Sequence, residues 1–429
     1  MKIIRVADPA YEASQLRKVT TIQDALLEDT KMIMKDVAEY GDHAILSYTS
    51  KFDGARLDSL LVSEQEIKRA YTQVTKDQIN AVKLVKERLV KSELAILRRL
   101  KGIAVSSNGV RIDRMVKPVT SVGCYVPGGK ARYPSTVIMC AVPARVAGVK
   151  RIVAISPPRS DGTIDPLTLV AADICRVNEF YKVGGAQGIA ALAYGTQSIR
   201  PVSKIVGPGG MFVTAAKLVA SSKVSTDMVA GPTELLIYSD AIADPKLIAV
   251  DLISQAEHST DTLCGLVTTS DKLASEVQKQ VESIAKSITR LEIAKKSLEN
   301  NGFVAVCNDE ISCIEFVNEF APEHLEIMSK NSEKIARKID SAGLVLIGRY
   351  TPSSASDYSL GSNHVLPTLG FGKSRASLSV LDFVKIVNKV KVSKSGLAKV
   401  NKSIREITFA EGLLNHYEAV KARLIEKKE

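Results

Sequence analysis

From Val116 onward the chain alternates short β-rich runs with helical runs, and this rhythm restricts the fold more than any other feature of its 429 residues. Strands are predicted over 120–126, 151–156, 180–183 and 204–206, with helices over 135–149, 166–177, from the 184–188 turn to Gly195, and over 211–220. Past residue 230 the rhythm continues. Strands are expected at 234–238, 263–268, 303–307 and 344–347, a helix from Asp244-Pro245 to His258, and one long helix over 271–300. Residues 311–328 read as mostly helical, interrupted at Ala321-Pro322-Glu323-His324. Strands alternating with helices imply βαβ units and parallel, doubly wound sheets. The rhythm on both sides of residue 230 suggests two similar halves, without a residue-level repeat.

Glycine-rich turns follow the predicted strands at Pro127-Gly128-Gly129, Gly184-Gly185-Ala186-Gln187-Gly188 and Gly207-Pro208-Gly209-Gly210. Open α/β sheets bind ligands at such turns because backbone can approach a phosphate or ribose closely. None is a Gly-x-Gly-x-x-Gly fingerprint, so tight packing turns remain the alternative. Upstream, Thr20-Thr21 precede an amphipathic run from Ile22 that stops at Gly41. Ser63-x-x-Glu66 is a capping-box signature opening a helical pattern to about Leu100, broken once near 75–77. A last helix is expected from about Thr408.

The chain carries a net charge of +11, so nucleic acid must be weighed as a partner. The excess gathers between Lys385 and Arg405, but apolar residues interrupt it and it matches no nucleic-acid-binding motif, which favours a solvated basic face. The six cysteines are scattered without a Cys-x-x-Cys and read as reduced core thiols. The N-terminus lacks a signal-peptide pattern and no apolar run is long enough to span a membrane, so the expected location is cytoplasmic.

Four of the five histidines, His258, His324, His364 and His416, lie in the second half among polar or acidic neighbours. Gln255 and His258, three apart, share one face of a predicted helix end. Together they are half of a metal site or a polar patch. Glu323-His324 reads as an acid/base pair or as an exposed helix N-terminus. Gln255, His258, Asp357 and His416 could supply four zinc ligands, although an amide oxygen is an uncommon one. His43 reads as structural.

Ser254-Gln-Ala-Glu-His258, Ala321-Pro-Glu-His-Leu325, Gly361-Ser-Asn-His-Val-Leu-Pro-Thr368, Tyr125-Val-Pro-Gly-Gly129, Val183-Gly-Gly-Ala-Gln187 and Ala230-Gly-Pro-Thr-Glu234 together resemble the L-histidinol dehydrogenase family, over essentially the whole chain. The resemblance implies an α/β fold with two Rossmann-like, doubly wound parallel-sheet domains plus small N- and C-terminal helical segments, assembled as a homodimer. It implies an N-terminal segment (1–21), a metal and substrate domain (22–124 with 234–380), an NAD-binding domain (125–233) and a dimer-contact segment (381–429). The implied reaction is zinc-dependent oxidation of L-histidinol through the aldehyde to L-histidine, reducing two NAD. Zinc would be held by Gln255, His258, Asp357 and His416, the last coming from the partner subunit. Glu323 would activate water and His324 would be the main acid/base. Thr233, His364 and Glu411, with the zinc ligands and His324, match substrate-binding positions; Tyr125, Gln187 and Gly210 match nucleotide-contacting ones. Two departures stand out: Gly210 where the family usually has Asn, and Thr233 where it usually has Ser.

Two other readings compete. A zinc hydrolase would use Glu323 on a metal-bound water, but it has no need of the dinucleotide turns. A paralogous dehydrogenase would act on another amino alcohol.

Overall fold

The computed structural model describes residues 1–17, 24–128, 132–228, 231–285 and 290–425. The helix start expected at Thr20 to Ile22, Gly129 of the first glycine-rich turn, and Ala230 lie outside these residues.

The chain opens with β1 (Lys2–Arg5) and α1 (Pro9–Leu16), then four helices: α2 (Asp24–Tyr40), α3 (Asp42–Asp53), α4 (Glu64–Thr72) and α5 (Lys76–Leu97). The expected capping box at Ser63/Glu66 forms, and a second, Thr75/Gln78, restarts the helix where the break is expected. An antiparallel pair, β2 (Ile103–Ser107) and β3 (Val110–Pro118), follows.

The first parallel unit comprises β4 (Ser121–Tyr125), α6 (Pro134–Ala147), β5 (Arg151–Ser156), α7 (Pro166–Ile174), β6 (Glu179–Lys182), α8 (Gly185–Tyr194), β7 (Lys204–Val206), α9 (Met211–Ala220) and β8 (Ser225–Thr226). The second comprises β9 (Glu234–Ser239), α10 (Pro245–Ala256), β10 (Leu263–Thr268), α11 (Asp271–Ile284), α12 (Leu291–Asn301), β11 (Phe303–Val306), α13 (Glu310–Phe320), β12 (His324–Met328), α14 (Ser332–Ala336) and β13 (Leu344–Ile347). Then come α15 (Ser353–Ser356), β14 (Val384–Val392), α16 (Lys394–Ala410) and α17 (Leu414–Leu424).

Two parallel sheets result, ordered β6-β5-β4-β7-β8 and β1-β11-β10-β9-β12-β13. Apart from β1, each starts at its centre, adds two strands on one side and then two on the other. The strand order therefore reverses between β4 and β7, and again between β9 and β12, and crevices open at such points. The inner strands of both sheets are buried between helices and are mostly apolar, as parallel sheets require, while the edge strands β1 and β8 are more exposed.

Several expectations change. The 271–300 helix is two helices, because Arg290 at φ +60 cannot continue an α-helix. Residues 324–328 are not helical: α13 ends at Ala321 (φ +46), Pro322 follows, and His324–Met328 is a fully buried strand between β9 and β13. A five-residue segment is too short for periodicity to separate a strand from a helix, and two flanking strands decide it. The terminal segments are not purely helical. β1 extends the six-stranded sheet, and β14 pairs with β3 along its whole length. The basic stretch is thus an exposed edge strand plus α16. The final helix begins at Leu414, after a turn with Gly412 at φ +72. Helices α2 to α5 pack on α6 to α9, and α5 also meets the later chain, where Glu93 accepts from the Val380 N–H at 2.6 Å.

Candidate active site

A cavity of about 360 Å³ lies between the carboxyl edge of the five-stranded sheet and the amino edge of the six-stranded one. The first sheet contributes Pro127, after β4, and Gly207 to Gly210, after β7. The second contributes Thr233, just before β9, and Glu323-His324 at the start of β12. Gln255 and His258 come from the end of α10, and Asp357 caps α15.

Gly207 (φ +116) makes the sharp exit from β7, since a Cβ there would sit 2.2 Å from the Tyr125 carbonyl oxygen. The turn is held by a buried ion pair. Lys217 on α9 pairs with Asp227 and donates to the Gly207 carbonyl at 3.0 Å, while Asp227 accepts from the Gly207 N–H at 2.7 Å.

Across the cleft, Glu323 is fixed on one oxygen. Its Oε2 accepts from the Thr233 hydroxyl at 2.5 Å and the Glu234 N–H at 2.7 Å. Gln255 Nε2 donates to the Thr233 hydroxyl oxygen at 3.0 Å. Burial pushes the Glu323 carboxyl up to about 7, against the pull of His324 and the Thr233 hydroxyl. His324 Nδ1 lies 3.3 Å from the Glu234 carbonyl oxygen and therefore carries the proton, leaving Nε2 as the working nitrogen. Burial would lower its pKa, but the Glu323 and Asp357 carboxylates outweigh it and raise His324 to about 9. His324 Nε2 and Asp357 Oδ1 face each other at 3.3 Å, yet both are buried without a hydrogen-bond partner. His364 is anchored by Nδ1 donating to the Asp357 carbonyl at 2.7 Å, with Nε2 3.4 Å from the Thr136 hydroxyl.

The cavity therefore gathers Thr233, Gln255, His258, Glu323, His324, Asp357, His364 and Gly210. The expected shared helix face of Gln255 and His258 changes: α10 ends at Ala256, and His258 sits on the following turn, its N–H donating to the Gln255 carbonyl at 3.2 Å. Glu323 and His324 begin a buried central strand and do not form an exposed helix end. Tyr125 and Gln187 are buried at the carboxyl edge of the five-stranded sheet, where the Tyr125 hydroxyl accepts from the Gly185 N–H at 3.2 Å; neither lines the cavity. Glu411 and His416 are exposed, between and on two C-terminal helices that pack chiefly on each other, and neither lines the cavity.

The fold and the sequence have counterparts in known proteins. The model of the histidinol dehydrogenase family matches residues 16–424. The chain belongs to the histidinol dehydrogenase family. It is 42% identical to a histidinol dehydrogenase of Methanocaldococcus jannaschii, over 94% of this chain and 93% of that one. It is 43% identical to one from Clostridium acetobutylicum, over 93% and 92% of the two chains. The crystal structure of histidinol dehydrogenase from Elizabethkingia anophelis superposes with a TM-score of 0.92 at 35% identity, covering 99% of this chain and 98% of that one. Membership in the histidinol dehydrogenase family makes this chain an oxidoreductase.

Sequence reasoning missed two buried groups in this histidinol dehydrogenase fold, the Lys217–Asp227 pair and an Arg17–Glu234 pair (3.3 Å) behind Glu323. The available signals were lone charges in apolar elements: Glu234 at the start of an apolar strand and Lys217 within an apolar helix. Asp251 on α10 and Glu326 on β12 are two further buried carboxyls, and burial raises the pKa of each. Glu326 accepts from the Ser353 N–H at 2.6 Å, which holds the short helix that Asp357 caps. Among the described residues, no helix is long and apolar enough to cross a membrane.

Proposed function

We propose that this chain oxidises L-histidinol through the aldehyde level to L-histidine, with two NAD reduced in succession, as a cytoplasmic homodimer whose active site is shared. The single observation that carries the reading is the cleft itself. A buried acid/base pair faces glycine-rich turns at a sheet's carboxyl edge, so a substrate carbon and a nicotinamide can meet between them. In the first oxidation the neutral form of His324, which becomes the main form only above about pH 9, takes the hydroxyl proton at Nε2 as hydride passes from the carbinol carbon to NAD. In the second, Glu323 takes a proton from the water that attacks the aldehyde, and the hydrate then gives up its hydride.

The residues present fit a zinc ion. Asp357 Oδ1 is buried and makes no hydrogen bond, with only His324 Nε2 facing it at 3.3 Å, and the Gln255 amide nitrogen is taken by Thr233, which leaves its carbonyl oxygen available. With His258 these are three N and O donors, and among the described residues no set of three His, Cys, Asp or Glu closes a site alone. His416 from a second copy would complete four, consistent with its exposure. Bound there, zinc would anchor the substrate's imidazole and amino nitrogens.

The reading is tested by NADH formation from L-histidinol before and after chelation. Two NADH per histidinol, lost with the metal and restored by zinc, are expected; no turnover by folded, zinc-loaded protein overturns it. His258→Ala is expected to lose most of its zinc by elemental analysis after gel filtration, and full metal retention removes His258 from the ligand set. At Gly210 an added Cβ meets nothing within 4 Å and φ is ordinary. Gly210→Asn is therefore expected to leave stability within about 0.5 kcal/mol and to tighten NAD binding by restoring an amide. An unchanged Kd by calorimetry would exclude the position from nucleotide contact.

A further inference from the structure

We propose that Glu234, held by Arg17, is a positioning residue that fixes Glu323 and His324 through three separate contacts. The proposal rests on reading Glu323 and His324 as the working acid/base pair.

Residues 234 and 323 sit opposite each other, one step before the register in which His324 pairs with Leu235. Their bonds are reciprocal: the Glu234 N–H donates to Glu323 Oε2 at 2.7 Å, and the Glu323 N–H donates to Glu234 Oε2 at 3.2 Å. The third contact is the Glu234 carbonyl, which receives the His324 Nδ1 proton. One residue thus sets the carboxylate's aim, the peptide from which it hangs, and the imidazole tautomer.

The Glu234 side chain is buried, and its other oxygen accepts from the Leu369 N–H at 2.9 Å and from Arg17 Nη1 at 3.3 Å. A buried carboxylate is costly where an apolar residue would pack. Here it satisfies two loop N–H groups that the sheet ladder leaves unpaired, which gives it a reason to be charged. Arg17 does more than neutralise it. Its Nη2 donates to the Ala321 carbonyl at 3.2 Å, and its guanidinium lies 4.5 Å over the Phe320 ring. Ala321 holds φ +46, a conformation a residue with a Cβ adopts only when its surroundings impose it. Arg17 therefore pins the backbone just before Glu323 while its charge holds the carboxylate behind it.

Glu234→Gln keeps the shape but turns an amide NH₂ toward either the Glu323 N–H or Arg17. Kcat for NADH formation is expected to fall about 10- to 100-fold, with the KM for histidinol within about threefold, since an ångström of misplacement costs on that order. Arg17→Met should give a similar kcat loss. The double variant should be no worse than the more impaired single one, because both changes break one unit. Rescue by Arg17→Lys relative to Arg17→Met is expected to be partial. A rise in KM with kcat retained, additive losses, or no change would overturn the proposal. If Glu234→Gln does not fold, the Arg17 pair of variants carries the same test. Glu323→Gln is run alongside: unimpaired, it removes the acid/base reading itself; impaired beside an unimpaired Glu234→Gln, it overturns this positioning role alone.

Discussion

Replacing Glu323 with glutamine is expected to slow the aldehyde-to-acid half by about 100- to 10,000-fold, the usual contribution of a positioned general base. The alcohol-to-aldehyde half should stay within about tenfold, because that half consumes no water. The substitution is clean for a structural reason. Both bonds to Glu323, from the Thr233 hydroxyl and the Glu234 N–H, end on the same oxygen, and a glutamine carbonyl can accept both. The geometry survives while the proton acceptor disappears. A carboxyl raised by burial to about 7 is also better matched to taking a proton near neutral pH than an ordinary glutamate. Single-turnover kinetics started from histidinol and, separately, from the aldehyde distinguish the halves. Equal losses in both would take water activation away from Glu323.

The largest loss of stability is expected from Lys217→Met. Lys217 and Asp227 are almost fully buried, and each also bonds the Gly207 peptide, one to its carbonyl and one to its N–H. Removing the lysine leaves a carboxylate in the interior facing no equal charge, a change that costs about 3–5 kcal/mol when a buried pair is broken from one side. Asp227→Asn added to Lys217→Met should recover much of that, since an amide carries no charge to strand. Because the pair shapes the turn that lines the cleft, the single variant should also bind NAD more weakly. Urea unfolding followed by circular dichroism reads the effect, and a loss under about 1 kcal/mol would show that Arg375, which bonds the Asp227 carbonyl, or nearby Lys204 already compensates the charge.

Much of this architecture is local in origin and so was legible. The Ser63 cap, the helix break near 75–77, the strand at 151–156 and the helix at 211–220 are encoded by residues within a turn or two of each other. The strand at 324–328 was not, because it is decided by flanking strands distant in sequence; the break before α12 lies in the left-handed backbone of Arg290, which no residue type there announces. The hairpin of β2 and β3 escaped notice for a related reason. Its β2 strand is exposed throughout and no residue of β3 is fully buried, so the pair lacks the alternation that burial of one face imprints.

The chemistry divides in the same way. Sequence by itself determined the residue types and the family pattern: a Gln and a His three apart, a Glu beside a His after proline, an Asp and a His near the carboxyl end. Only the tertiary structure decided that Thr233, Gln255, Glu323, His324 and Asp357 share one cleft, that Glu411 and His416 stand outside it within a single chain, and that Glu234 braces the acid/base pair from behind. The reason is physical. Periodicity and capping report interactions between residues a few positions apart, whereas the cleft exists because the carboxyl edge of one sheet faces the amino edge of another. That juxtaposition depends on the packing of whole sheets, and no short stretch of chain carries it.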